Sequence, residues 1–167
     1  FLYAGIKYFY SESASFWFEI LVDDYQLVFK DEEGESEPNE IGFTSGIEKT
    51  GWPYSSSDIV VEFTRISNRT YQTLILEESY THRGIPIGHY LGNDFDLVQF
   101  SFSNEIRNGK MKPLISLGYL RDGGNGLDTP FNTPWENSAN LINGDYSEPF
   151  PTTPITFYYE AEFSSNI

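Results

Sequence analysis

The chain has 167 residues, and 10 Lys and Arg side chains against 25 Asp and Glu side chains give it a formal net charge of −15. This charge argues against nucleic acid as a partner and against adsorption to an anionic membrane through a basic patch. The hydrophobic fraction of 39% is too high for a disordered acidic segment. The absence of cysteine excludes disulfides and thiolate zinc sites.

Apolar and polar residues alternate with a period of two along most of the chain, and this pattern predicts about seven β-strands. Most of these segments have about nine to eleven residues, the length of strands that cross a bilayer, whereas strands of soluble proteins average about five or six. No segment has helical periodicity. In chain order, the strands are predicted near residues 2–10, 16–29, 41–48, 59–64, 98–103, 114–119 and 155–163.

The predicted connectors alternate between short and long. In an up-and-down meander this places every long loop at one end of the sheet and every short turn at the other. Bacterial outer-membrane barrels have this arrangement, with long loops outside the cell and short turns in the periplasm, whereas Greek-key sandwiches do not require it. The short connectors are residues 11–13 and 107–110, the connector at residues 51–57 is of moderate length, and the long ones are residues 31–40, 68–93 and 122–153.

A membrane barrel also accounts for the composition of the two strand faces. The apolar face would contact lipid, and the second face would line a wet or plugged lumen. The aromatic residues, 17% of the chain, would collect at the bilayer interfaces, with Trp52 and Tyr54 as anchors at the periplasmic end. A soluble antiparallel sheet with one solvated face gives the same alternation. The charged members of the second face are Lys7, Glu48, Glu62, Glu160 and Glu162.

Barrels of this kind have even strand numbers, and seven is odd. We therefore expect residues 1–167 to be one domain, the C-terminal portion of a larger barrel. The absence of a visible signal peptide agrees with this expectation.

Three stretches have a characteristic order: LVDDYQ at 21–26, VEFTRISNRTY at 61–71 and YTHRGIPIGHYLGNDFD at 80–96. Together they resemble the capsule assembly Wzi family of outer-membrane proteins over residues 21–163. The most specific element is G-H-x-L-G-N-D-x-D at residues 88–96. TPWENS around Trp135 and INGD from Ile142 fit the family more loosely. The N-terminal half of the family's barrel has no counterpart in this chain.

The resemblance implies an outer-membrane barrel of Gram-negative bacteria that retains or assembles capsular or other surface polysaccharide without catalysis. It implies outer-membrane lipid, lipopolysaccharide and the polysaccharide as partners. Two alternatives remain from the residues: a soluble β-sandwich carbohydrate-binding module, and a barrel enzyme or channel whose active part lies outside this chain.

The loop over residues 80–96 contains both histidines and is the candidate polysaccharide-binding surface. Aromatic faces would stack on sugar rings, and the polar side chains would hydrogen-bond the hydroxyls. The alternative is a loop folded into the barrel, where Gly84, Gly88 and Gly92 allow tight turns and the polar groups satisfy one another. The candidate residues are Tyr80, His82, Arg83, His89, Asn93, Asp94 and Asp96.

Metal binding and catalysis are not predicted, and neither is a cofactor. The acidic turns at 92–96 and 122–128 offer oxygen ligands for Ca²⁺ but lack EF-hand spacing, and the two histidines have no third partner for zinc. The acidic loop at 31–40 is expected to be solvated, with divalent cations that bridge lipopolysaccharide phosphates as a speculative alternative.

The adjacent carboxylates of Asp23 and Asp24 raise the possibility of a glycosidase acid and base. Adjacent strand residues point to opposite faces, however, so this pair does not converge on one substrate. We expect one of the two to face the lumen and to pair with Arg65 or another cation.

Overall fold

A computed structural model describes most of the chain as one large antiparallel sheet. The seven long strands are β1 (Leu2–Ser11), β2 (Ala14–Asp24), β3 (Glu40–Thr50), β4 (Ser57–Ile66), β7 (Phe95–Asn104), β8 (Lys112–Asp122) and β9 (Thr156–Asn166). A separate ribbon pairs β5 (Thr81–His82) with β6 (Ile85–Pro86). The described residues are 2–24, 38–73, 81–82, 85–86, 88–106, 111–133 and 148–166.

The sheet is an up-and-down meander, because its spatial order β1-β2-β3-β4-β7-β8-β9 follows the chain and every neighbouring pair is antiparallel. This confirms the predicted all-β class and the seven long strands. The strands have ten or eleven residues each. Strand β1 and strand β9 form the two edges and do not pair with each other, so the sheet is open.

The predicted sorting of loops is also confirmed. The short connectors, residues 12–13, 51–56 and 105–111, lie at one end of the meander, which we call the short-loop end. The connectors at the other end, the long-loop end, are residues 25–39, 67–94 and 123–155. The predicted Asn-Gly turn at 107–110 falls outside the described residues, but it is flanked by a bridge between Ile106 and Met111.

One face of the sheet is apolar from edge to edge, and we call it the apolar face. A row across the middle of the seven strands, aligned by the strand register, has one polar member and is otherwise apolar or aromatic: Ile6, Phe18, Ser45, Phe63, Val98, Tyr119 and Tyr159. Within the described part of the chain, no second sheet packs on this face. As a result, the side chains of Tyr159 and Phe163 are 80% and 71% exposed.

Charged residues on the same face lie towards the ends of the strands. At the long-loop end, Arg65, Asp96 and Arg121 form one row across three neighbouring strands. At the short-loop end, Lys49 faces Ile59 in the register and donates to the Ser13 hydroxyl at 2.7 Å. Large apolar side chains therefore occupy the middle of the strands on this face.

The opposite face, the polar face, carries all five charged residues predicted for it. The Glu62 carboxylate accepts a 3.2 Å hydrogen bond from the Trp17 indole, which lies flat against Gly46 where a Cβ would overlap the ring. The Glu48 carboxylate is 3.6 Å from the Lys7 ammonium and accepts from the Ser15 hydroxyl at 3.3 Å. Side-chain bonds across strands thus order part of this face.

The small hydrophobic core lies at the long-loop end, on the polar-face side, where connector segments fold over the sheet. Its buried members are Ile66, Tyr71, Phe95 and Leu97, and four leucines pack against them. The described ranges contain no helix with the length and apolar content needed to span a membrane.

Candidate functional site

The β4–β7 and β8–β9 connectors are joined to each other at the long-loop end by the buried carboxylate of Asp94. Its Oδ1 accepts from the Thr152 amide at 3.0 Å, and its Oδ2 accepts from the Asn125 amide at 3.0 Å and from the Thr152 hydroxyl. The Gly123 amide donates to the Asp94 carbonyl at 2.8 Å, and a Cβ on Gly123 would overlap the carboxylate. Three chain segments that lie far apart in sequence therefore meet at one side chain, and we call this arrangement the Asp94 clamp.

A second clamp centres on the buried guanidinium of Arg69. It donates to the Asn132 carbonyl at 2.6 Å, to Asn132 Oδ1 at 2.9 Å and to Glu148 Oε1 at 2.7 Å. Asn68 also donates to Glu148. Because Arg presents several donors in a rigid fork, one side chain holds two separate parts of the β8–β9 connector, at Asn132 and Glu148, against the β4–β7 connector.

Backbone conformation sets these connectors apart from ordinary loops. Arg69, Tyr71 and Asp94 have φ values of 73°, 73° and 61°, in the left-handed region that non-glycine residues rarely adopt. All three residues are buried and hydrogen-bonded. Such strain persists where surrounding contacts over-determine the backbone, and it concentrates at functional sites.

Under these connectors lies a cavity of about 490 Å³, within the range of roughly 300–1,000 Å³ that small-ligand sites occupy. Its walls are the polar face of β1–β4 and the segment of the β4–β7 connector that returns over it. The groups that offer aromatic or hydrogen-bonding surface to a ligand are Tyr3, Glu19, Thr44, Tyr71 and His89. We call this cavity the mouth pocket.

Two glycines allow the walls of the mouth pocket to approach closely. A Cβ on Gly88 would overlap the Tyr71 phenol ring, and a Cβ on Gly42 would meet the end of the Ile66 side chain. The Tyr71 hydroxyl accepts from the His89 amide at 3.3 Å. Gly88 therefore allows the connector to pack against the Tyr71 ring, and the His89 amide holds it there, whether or not these residues bind a ligand.

Of the seven residues predicted to bind polysaccharide, His89 lines the mouth pocket. Asp94 is the clamp described above, and Asp96 lies on the apolar face, where Arg121 donates to it at 2.8 Å and through a second nitrogen. Asn93 is buried, and neither of its amide atoms has a hydrogen-bond partner. Tyr80, Arg83 and the side chain of His82 lie outside the described residues, as do Trp135 and Ile142.

The sequence interpretation missed most of the mouth pocket and both clamps. Tyr3, Glu19 and Thr44 are ordinary strand positions, and no local pattern distinguishes them. The partners of Arg69 lie 63 and 79 residues away along the chain. The one usable signal was Asp94, because Asn and Asp enter the left-handed region more readily than other non-glycine residues.

The prediction that one of Asp23 and Asp24 pairs with Arg65 or another cation is wrong for Asp23, and the side chain of Asp24 lies outside the described residues. Asp23 Oδ2 accepts from the Tyr71 amide at 2.7 Å, whereas the Arg65 guanidinium lies 3.7 Å from the centre of the Phe150 ring. A register irregularity between Val22 and Asp24 takes Asp23 out of regular alternation. It therefore fixes a connector instead of neutralising a strand cation.

The two acidic turns considered for Ca²⁺ come together around Asp94, but the atoms nearest its carboxylate are amide and hydroxyl donors. A cation site needs converging oxygen acceptors instead. Across the described ranges, no three His, Cys, Asp or Glu side chains group in a way that would hold a metal ion.

Burial lowers the pKa of His89 below its usual 6.5. Its Nδ1 accepts from the Leu91 amide at 3.3 Å, and its ring packs 4.7 Å from the Phe95 ring. Protonation would replace that acceptor with a donor and charge a half-buried ring. Because the pKa of His89 is lower in the folded chain, the unfolded chain binds more protons as the pH falls below about 6.5. The neutral ring of His89 therefore contributes to stability above that pH, and this contribution is lost on acidification.

We therefore expect the segment around His89 to open more readily as the pH falls below about 6.5. Amide hydrogen exchange at Leu91 and Gly92, corrected for the intrinsic pH dependence, measures the opening. The samples carry His82→Gln, so that His89 is the one histidine. His89→Phe keeps an aromatic ring but cannot titrate, and its exchange should lose the pH dependence. An unchanged dependence in that variant would contradict the assignment.

These features define the class of protein: an open, all-β meander with an uncovered apolar face and a clamped, pocket-forming set of connectors at one end. No protein-family model matches the chain, and neither a curated protein nor a solved structure matches it. The resemblance to the capsule assembly Wzi family stays a prediction.

Proposed function

We propose that this chain forms part of the wall of a bacterial outer-membrane β-barrel of the capsule assembly Wzi type, and that it retains or assembles surface polysaccharide by non-catalytic binding. The observation that carries the proposal is the apolar face, which is continuous across seven strands and uncovered in the described residues. Monomeric soluble proteins rarely leave so extensive an apolar surface in water.

Lipid hydrocarbon suits the apolar face better than a protein partner does. The strands have ten or eleven residues, the length that crosses a bilayer. The charged row of Arg65, Asp96 and Arg121 limits the apolar band at the long-loop end, and Lys49 lies on the same face near the short-loop end. The polar face then looks into the lumen. In such a barrel, further strands would pair with the open edges of β1 and β9, which would otherwise favour aggregation.

The long-loop end would face outwards in this arrangement, as in bacterial outer-membrane barrels. The mouth pocket would open at that end, on the lumen side, where a surface polymer is accessible. Its aromatic rings and uncharged hydrogen-bonding groups suit the apolar faces and the hydroxyls of a sugar. The clamps at Asp94 and Arg69 would keep the pocket preformed, which lowers the entropy lost on binding.

Binding of polysaccharide is tested with the full chain in detergent micelles against an array of bacterial surface glycans. Tyr3 and Tyr8 lie on β1 and are 58% and 59% exposed, but Tyr3 lines the mouth pocket and Tyr8 lies on the apolar face. We expect Tyr3→Ala to weaken glycan binding about tenfold or more, because an aromatic contact of about 1.5 kcal/mol is lost.

Tyr8→Ala is the matched control, because it removes an equally exposed ring from the other face. It should leave the glycan affinity unchanged. Equal losses in the two variants would refute the mouth pocket as the binding site, and a chain that binds no glycan would refute the polysaccharide role.

The alternative, a soluble β-sandwich carbohydrate-binding module, requires a second sheet on the apolar face. The described residues contain one large sheet and a two-stranded ribbon. No specific observation favours this alternative over the membrane wall.

A further inference from the structure

The charge around the mouth pocket restricts the kind of sugar that can enter it. Among the described residues that line the pocket, Glu19 is the one side chain charged at neutral pH, since partial burial lowers the pKa of His89 and leaves its ring uncharged there. Glu19 is exposed and lies near the Tyr3 hydroxyl, since both side chains approach the same space above Gly5. A ligand in the pocket therefore meets one carboxylate and no described cation.

The surroundings reinforce this sign of charge. Farther along the polar face, Glu62, Glu160 and Glu162 line a groove of about 270 Å³ together with serine, glutamine and glycine. The two lysines of this face do not reach the pocket, because Lys7 pairs with Glu48 and Lys112 pairs with Asp58. The chain as a whole has a net charge of −15.

We infer that the mouth pocket takes a sugar residue without an acidic group, and that a free amine on the sugar strengthens binding through Glu19. This inference rests on the proposed polysaccharide-binding function and specifies its ligand. A uronic acid would place a second carboxylate beside Glu19 in a negative field, which disfavours its approach. A neutral hydroxyl can donate to Glu19, and an ammonium group forms a stronger, charge-assisted hydrogen bond.

Three oligosaccharides of matched length test the inference: oligomers of glucosamine, glucose and galacturonic acid. Their affinities for the full chain in uncharged detergent micelles are measured at neutral pH by titration calorimetry. We expect the order of affinity to be glucosamine, then glucose, then galacturonic acid. The preference for glucosamine over glucose should shrink at high salt, because the salt screens a partly exposed ion pair.

Glu19→Gln keeps the size of the side chain and removes its charge. It should lower the affinity for the glucosamine oligomer about tenfold, the size expected for loss of one charge-assisted bond, and should change the affinity for the glucose oligomer much less. Glu160→Gln is the matched control, an exposed carboxylate of the same face outside the pocket lining. It should preserve both affinities. Circular dichroism verifies that both variants fold.

Three outcomes would overturn the inference. One is equal or tighter binding of the galacturonic acid oligomer, and another is an unchanged ratio of glucosamine to glucose affinity in Glu19→Gln. In both cases, surface glycans that bind through Tyr3 would leave the proposed function standing. Failure of all three oligomers and of the glycan array would instead remove the inference and the polysaccharide role together.

Discussion

Leu117→Arg is expected to destabilise the folded chain in a phospholipid bilayer by about 2–4 kcal/mol, the cost of an Arg side chain on the lipid face near the bilayer midplane. Leu117 lies in the middle of β8, is 48% exposed, and belongs to the apolar face together with its cross-strand partners Phe100 and Ala161. If lipid covers this face, the guanidinium must enter hydrocarbon. If water covers it, the substitution is an ordinary surface change.

The preceding residue supplies the control. Ser116 is adjacent to Leu117 on the same strand, but it points to the polar face opposite Ser101 and Glu162. Ser116→Arg should change the stability by about 0.5 kcal/mol or less, because a solvated surface accepts the charge and nearby Glu162 favours it.

Urea unfolding of both variants in lipid vesicles, followed by tryptophan fluorescence, gives the difference in free energy of unfolding. The chain without amphiphile is measured in parallel, and there we expect it to aggregate through the apolar face. A chain that stays monomeric without amphiphile, with Leu117→Arg as stable as Ser116→Arg, would contradict the membrane wall.

The second large effect is expected at the Asp94 clamp. Asp94→Asn should lower the free energy of unfolding by about 2–4 kcal/mol, because the amide nitrogen must replace one of two buried oxygens that each accept hydrogen bonds. Whichever oxygen is replaced, a donor then faces the Thr152 or the Asn125 amide. The loss is larger than that of an average hydrogen bond because these groups are buried away from water.

Asp58→Asn is the matched control. Asp58 also accepts two side-chain hydrogen bonds, from Ser103 at 3.3 Å and from Lys112 at 3.2 Å, but it is partly exposed near the short-loop end. Exposed pairs of this kind contribute about 1 kcal/mol or less. Hydrogen exchange of the Asn125 and Thr152 amides locates the effect: their protection should fall in Asp94→Asn and persist in Asp58→Asn. Equal destabilisation by the two variants, with protection retained, would show that Asp94 is not a clamp.

The residues of the G-H-x-L-G-N-D-x-D element have two different roles in the structure. In this element Gly88 and His89 border the mouth pocket, whereas Asp94 and Asp96 hold other parts of the protein together. A substitution at Asp94 or Asp96 that abolishes glycan binding would therefore not identify a ligand contact. Tyr3 and Glu19 are better positions for that purpose, because they border the pocket from exposed sites on strands.

The sequence alone was sufficient to predict the all-β meander, its seven strands, the sorting of its loops and the composition of its two faces. Alternation is a local property, since successive residues of a strand point to opposite sides, and the turns between strands are local as well. The polar positions Glu62 and Glu160 could thus be assigned to one face without coordinates, and the register confirms them.

The mouth pocket and its clamps were decided by tertiary structure. Arg69 meets Glu148, Asp94 meets Thr152, and Tyr71 meets Asp23 across 48 to 79 residues of chain. These contacts depend on where whole connectors come to rest, and the period of a strand contains no information about that. The pairing with a cation such as Arg65 that was expected of Asp23 or Asp24 does not occur at Asp23 for the same reason, because Asp23 meets the Tyr71 amide at an irregular strand end and Arg65 meets the Phe150 ring.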